Sequence, residues 1–132
     1  MTIIESKVTI AKPVAEVYTF LEDLNNHQQL MPANIYNWSS TKDEARFTIQ
    51  NMAKLALKIE SKIENKELLI VPFEEVPFKL DLKWTLEEQA TETVAKLTIS
   101  ADLNMMMKML ASGPLQKLTD HQVEALKTHF TA

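Results

Sequence analysis

The chain contains no cysteine and only one glycine, Gly113, in 132 residues. Without cysteine there is no disulfide framework and no thiolate chemistry. With a single glycine, neither a dinucleotide-binding turn nor a phosphate-cradling loop can be built, because both need several glycines for backbone to approach phosphate oxygens. Positive charge is also scarce. Fourteen Lys and Arg stand against eighteen Asp and Glu, a net charge of −4, and this argues against nucleic acid as a partner, since phosphate contacts need a basic face. No apolar run approaches the roughly 18 residues of a membrane span, so no integral membrane segment is expected. The stretch Met1 to Lys7 lacks the basic-then-apolar order of a signal peptide, and the expected location is the cytoplasm. What remains is ordinary for a globular protein, 45% hydrophobic and 24% charged, and residues 1–132 read as a single domain with room for a core.

The periodicity is mostly that of strands. Ile4, Ser6, Val8 and Ile10 alternate with Glu5, Lys7 and Thr9, which makes a half-buried strand. Pro13 suits the start of a helix, and Val14, Val17, Tyr18 and Leu21 follow at helical spacing. Asn25-Asn26 is expected to end that helix or cap a short second one, which Pro32 stops at Met31. From residue 34 to 103 alternation returns: a short strand Ile35–Trp38, then Phe47 and Ile49, then Leu55, Leu57, Ile59, Ser61 and Ile63. Leu68 to Val71 follows, with Pro72 to Pro77 read as a loop. Phe78, Leu80, Leu82, Trp84 and Leu86 come next, then Ala95, Leu97, Ile99, Ala101 and Leu103. Strands this closely spaced, with polar turns between them, are neighbours in an antiparallel meander.

The last stretch, Asn104 to Phe130, is helical. After Ser112-Gly113-Pro114, the residues Leu115, Leu118, Ala125, Leu126 and His129 fall on one side and Gln116, Lys117, Asp120, Glu124 and Lys127 on the other. Before that break Met106, Met107 and Leu110 centre on a direction rotated by about 100° on an ideal wheel. Pro114 cannot bond the Leu110 carbonyl. Two segments, kinked near Gly113-Pro114, are therefore expected, with any gate at the joint. The fold class is α+β, a one-sided sheet whose apolar face this helix covers.

Two stretches carry a resemblance, Ile10 to Asp23 (IAKPVAEVYTFLED) and Ser100 to Met107 (SADLNMMM). With the order of elements over the whole chain, they resemble the START-like (SRPBCC) superfamily, the helix-grip fold of polyketide cyclases, lipid-transfer domains and the birch-pollen allergen. The resemblance implies a curved antiparallel sheet of about seven strands in the order β-α-α-β6-α, wrapped around the C-terminal helix with a cavity between. The chain looks most like the small bacterial members. It is shorter than better-known relatives after the first helix, and it lacks the glycine-rich loop of the allergen branch.

Strand parity and helix face select the residues expected to line such a cavity. They are Ser6, Val8, Tyr18, Phe47, Leu57, Ile59, Leu80, Leu82, Trp84, Leu97, Ile99, Met106, Leu110, Leu118 and Gln122. The inward positions are nearly all apolar. Ser6, Ser61, Tyr18, Gln122 and His129 are the polar exceptions. No strand sends a charged side chain inward, so an acid–base pair is missing and no catalytic residue is assigned. His129 is the nearest candidate, set against a helix-end histidine favoured by the dipole. Glu74-Glu75 and Glu87-Glu88 are adjacent and cannot converge as a catalytic pair. His27, His121 and His129 have no metal-ligand spacing, and neither a metal nor a cofactor is expected. Met105, Met106, Met107 and Met109 fill the core, line a pocket, or sit at a contact.

The leading expectation is binding or transport of a hydrophobic small molecule, lipid-like or polyketide-like, between sheet and helix. One alternative is a cyclase or hydratase acting on a polyketide-like substrate, which a buried Tyr18–His129 contact would support. The other is an interaction or homodimerisation module, so that the protein is a monomer or a homodimer.

Overall fold

A computed structural model describes residues 1–76 and 78–131. These residues form seven strands, two α-helices and one 3-10 helix. The strands are β1 (Thr2–Ile10), β2 (Ile35–Ser40), β3 (Glu44–Ile49), β4 (Ala53–Ile63), β5 (Glu67–Pro72), β6 (Leu80–Gln89) and β7 (Glu92–Ala101). They make one antiparallel sheet in the order β1-β7-β6-β5-β4-β3-β2. The chain thus runs as a meander from β2 to β7, and β1 pairs with the last strand, Ser6 opposite Leu97. Of the expected Pro72–Pro77 loop, Pro77 lies outside the described residues.

Alternation decides which face is buried. In β6, Leu80, Leu82, Trp84 and Leu86 are buried; in β7, Thr93, Ala95, Leu97, Ile99 and Ala101 are. Their neighbours carry the outer face, where Lys83 pairs with Glu67 at 3.2 Å and Lys96 with Glu5 at 3.8 Å. Both pairs are substantially solvated, so they add solubility more than stability. In β4 the alternation fails beyond Ile59. Ser61 and Ile63 are exposed, because the register with β5 shifts between Ile59 and Ser61 and the strand outruns β3, whose pairing ends at Lys58. The inward reading of Ser61 is corrected accordingly.

The shortage of glycine is met by other residues in left-handed conformation: Asn37, Asn51, Asn65 and Ala90 have φ between 55° and 62°. Asn51 and Asn65 turn the chain between β3, β4 and β5, a conformation asparagine tolerates through its short polar side chain. Asn37 sits at the irregularity of β2 that lets the strand continue to Ser40, two residues past its expected end. Ala90, in the β6–β7 turn, has no such compensation.

The first helix, α1 (Val14–Leu21), buries Val14, Val17, Tyr18 and Leu21. Asp23, rather than either asparagine, caps the 3-10 helix Leu24–Leu30, its carboxylate accepting from Asn25 N at 3.0 Å. The last helix, α2 (Met105–Thr131), is one uninterrupted element with Pro114 inside it. Leu110 and Pro114 are both exposed, so water is at hand for the carbonyl that Pro114 leaves unbonded. The buried residues Ala111, Leu115, Leu118, Thr119, Gln122, Val123 and Leu126 make a single stripe against β1, β7 and the 3-10 helix. One continuous helix with one buried stripe therefore replaces the two differently facing segments expected.

Candidate functional site

Between the inner face of the sheet, the 3-10 helix and α2 lies a buried cavity. It is lined by Leu24, His27, Met31, Trp38, Ala45, Phe47, Ile49, Leu55, Leu57, Ile70, Leu80, Leu82, Ile99, Leu115, Leu118 and Gln122. The walls come from β3 to β7 through their inward parity, the roof from α2 through Leu115, Leu118 and Gln122, and one end from the 3-10 helix. The space open to the centre of a water molecule is about 30 Å³, enough for one or two waters. Most of the lining is fully buried. Met31 and Trp38 reach the surface, so the mouth lies between the 3-10 helix and β2. That is not the Gly113-Pro114 joint, whose residues are exposed and outside the lining.

A chain of hydrogen bonds closes the mouth. Trp38, stacked on Phe47 at 5.2 Å, donates its indole N–H to Ser40 Oγ at 2.8 Å, and Ser40 donates to Asn25 Oδ1 at 2.8 Å. The backbone N–H of Leu24 donates to Lys42 O at 2.9 Å, tying the same two segments together.

Two polar side chains besides Trp38 line the cavity, His27 and Gln122, both almost wholly buried. His27 Nε2 lies 2.8 Å from Leu21 O; a carbonyl can only accept, so Nε2 carries the proton and Nδ1 is the free acceptor. Burial pushes the His27 pKa down to about 4, against weaker upward pulls from the Leu21 carbonyl and Asp23. The ring is therefore neutral at pH 7. It meets Trp84 edge-on, centroids 6.5 Å apart, and the Trp84 indole N–H has no partner among the described residues.

Of the residues expected to line the cavity, Phe47, Leu57, Leu80, Leu82, Ile99, Leu118 and Gln122 do so. Val8, Trp84 and Leu97 are buried elsewhere in the core. Ser6 and Ile59 are half-buried away from it. Tyr18 is buried under α1, its pKa raised by burial first and then by Glu22 and Glu64, and it is not part of the lining. Met106 and Leu110 are corrections: both are 72% exposed, because the helical period sets them opposite Ala111 and Leu115. His129 is exposed and stacks on Phe20, centroids 4.3 Å apart.

His27 lines the cavity without being among the expected residues, although the sequence carries a signal for it. Leu24, His27 and Leu30 recur every three residues, the period of a 3-10 helix, and all three are buried. Among the described residues, no group of three or more His, Asp or Glu is placed to hold a metal ion, and no helix is long and apolar enough to cross a membrane.

Neither a family model nor a curated protein matches this sequence. Solved structures do match in fold. The XoxI protein from Bacillus cereus aligns with a TM-score of 0.79 at 10% identity, over 99% of this chain and 96% of its own. A START superfamily protein from Mycobacterium smegmatis aligns with a TM-score of 0.68 at 16% identity, over 98% and 97%. The Aha1 dimer from Colwellia psychrerythraea gives 0.69 at 16% identity, over 98% and 96%. The chain has the START/SRPBCC-like helix-grip fold, with a curved seven-stranded sheet and a long C-terminal helix.

Proposed function

We propose that the protein binds a hydrophobic small molecule, lipid-like or polyketide-like, in the cavity beneath α2. The observation that supports this reading best is the lining itself: aliphatic and aromatic walls from five strands, with the His27 and Gln122 side chains as isolated polar points. Such a site holds an apolar body and orients one polar group, which is the composition of small-molecule pockets in general. A free volume near 30 Å³ admits only a few atoms, so uptake requires the 3-10 helix and Met31 to move outward. The mouth bonds Trp38–Ser40–Asn25 are the group that motion would break. Binding without chemistry fits a neutral His27 that already donates to Leu21 O and faces no carboxylate in the lining.

The test is direct. The gently purified chain is examined by native mass spectrometry, then titrated with decanol and decanoate while the Trp38 and Trp84 fluorescence is followed. Saturable uptake is expected, weakened at least tenfold by Ala45→Leu, which fills the cavity, and accelerated by Ser40→Ala, which unlatches the mouth. Absence of any bound species, or uptake indifferent to Ala45→Leu, would refute the proposal.

A further inference from the structure

The N-terminal turns of α2 present an apolar surface that the fold does not use. Met105, Met106, Met109 and Leu110 are 82%, 72%, 81% and 72% exposed. At 100° per residue they share one arc of the helix with Gly113 and Lys117, opposite the stripe from Ala111 to Leu126 that covers the sheet. The segment is held helical at its start by Asn104, whose side-chain oxygen accepts from Met107 N at 2.9 Å, so the arc is a preformed surface.

We propose that this arc is a homodimer interface, in which α2 of one chain packs antiparallel on α2 of a second copy. The size fits. Four long apolar side chains at this exposure present about 500 Å² per chain, so their complete burial in both copies would remove about 1,000 Å², the threshold of a specific interface. The shape and charge fit a two-fold axis passing between Met109 and Leu110. That axis brings Met106 level with Gly113 of the second copy, where a helix carries no side chain and a Cβ would meet nothing within 4 Å. It also carries Lys117 past the first turn of the second copy's helix, toward the exposed Asp102 that precedes that helix and has the opposite sign. Each favourable pairing occurs twice, as an isologous interface requires. An anionic bilayer suits the arc less well, because the chain is net acidic and the arc itself carries only Lys117. Flexible methionine side chains repack readily against their own copies. The interface lies on the face of α2 away from the cavity, so it is independent of ligand binding.

Sedimentation velocity of the full chain from about 1 to 100 μM tests the proposal, with affinities read as dimer dissociation constants. The expected result is a dimer whose dissociation constant rises at least tenfold in Met109→Glu, with an unchanged circular dichroism spectrum. Asp102→Lys alone should weaken the dimer, and Asp102→Lys with Lys117→Asp should restore it; this restoration reads the two-fold axis itself. A chain monomeric throughout the range overturns the proposal. So does a dimer indifferent to Met109→Glu, or a monomer that sediments with phosphatidylcholine or phosphatidylglycerol vesicles through the same residues.

Discussion

His27 ties stability to pH with a sign and a size that can be measured. The ring is buried among Leu24, Trp84 and the cavity walls, and its pKa falls from the ordinary 6.5 to about 4. Above pH 6.5 the ring is neutral in folded and unfolded chains alike, so it makes no difference to stability. Below that value the unfolded chain takes up a proton that the folded chain refuses until about pH 4. Stability is therefore lost as pH falls through this window, and the loss levels off beneath it. Each unit of difference is worth about 1.4 kcal/mol, so this one residue should cost about 2 kcal/mol between pH 7 and pH 5 and roughly 3 by pH 4. His27→Gln supplies the reference, since its amide can still donate to Leu21 O and does not titrate. Urea unfolding followed by tryptophan fluorescence, at matched pH for both proteins, isolates the effect because the carboxylates are common to the two. The unfolding free energies should diverge by about 2 kcal/mol on going from pH 7 to pH 5, with the wild type falling faster. Parallel pH profiles would show that the ring is not held neutral, and the buried assignment of His27 would fail.

Three further outcomes follow from particular positions. Gly113 is helical and its Cβ would meet open space, so Gly113→Ala in the Met109→Glu background should raise stability by up to about 1 kcal/mol in thermal unfolding. Ala90 sits at φ 55°, where a Cβ is strained, so Ala90→Gly should stabilise by about 0.5–1 kcal/mol despite the added freedom of the unfolded chain; a loss would mean that the turn carries no strain. Leu118→Ala, which empties a site under the helix, should cost about 2–5 kcal/mol in urea unfolding, whereas Met106→Ala at low protein concentration should cost less than about 0.5. Equal losses would place Met106 inside after all.

Strands were legible where alternation was strict. The inward sets of β1, β6 and β7 follow directly from Ile4, Val8 and Ile10, from Leu80 to Leu86, and from Ala95 to Ala101, because a period of two leaves each side chain one face to occupy. The cavity was legible only in part, since the same parity cannot tell a residue that lines a void from one packed beside it. Leu57 and Leu97 share an inward pattern, yet one faces free space and the other is enclosed. Ile99, two residues from Leu97 on β7, does line the cavity, so what separates them is position along the strand beneath α2 and the 3-10 helix as well as the choice of strand.

The α2 helix shows the division most clearly. Composition and periodicity alone determined that a long amphipathic helix closes the chain and that its second half faces a sheet. The apolar stripe through Leu115, Leu118 and Leu126 is a local fact of spacing. Which way the methionines face was decided only by tertiary structure. Apolar residues lie on both sides of the first turns, and either could have been buried. The continuous stripe from Ala111 onward docks on β1 and β7, and a rigid helix has one orientation once docked. Met105, Met106, Met109 and Leu110 are carried outward by that choice, and His27 inward by the short helix packed beneath it.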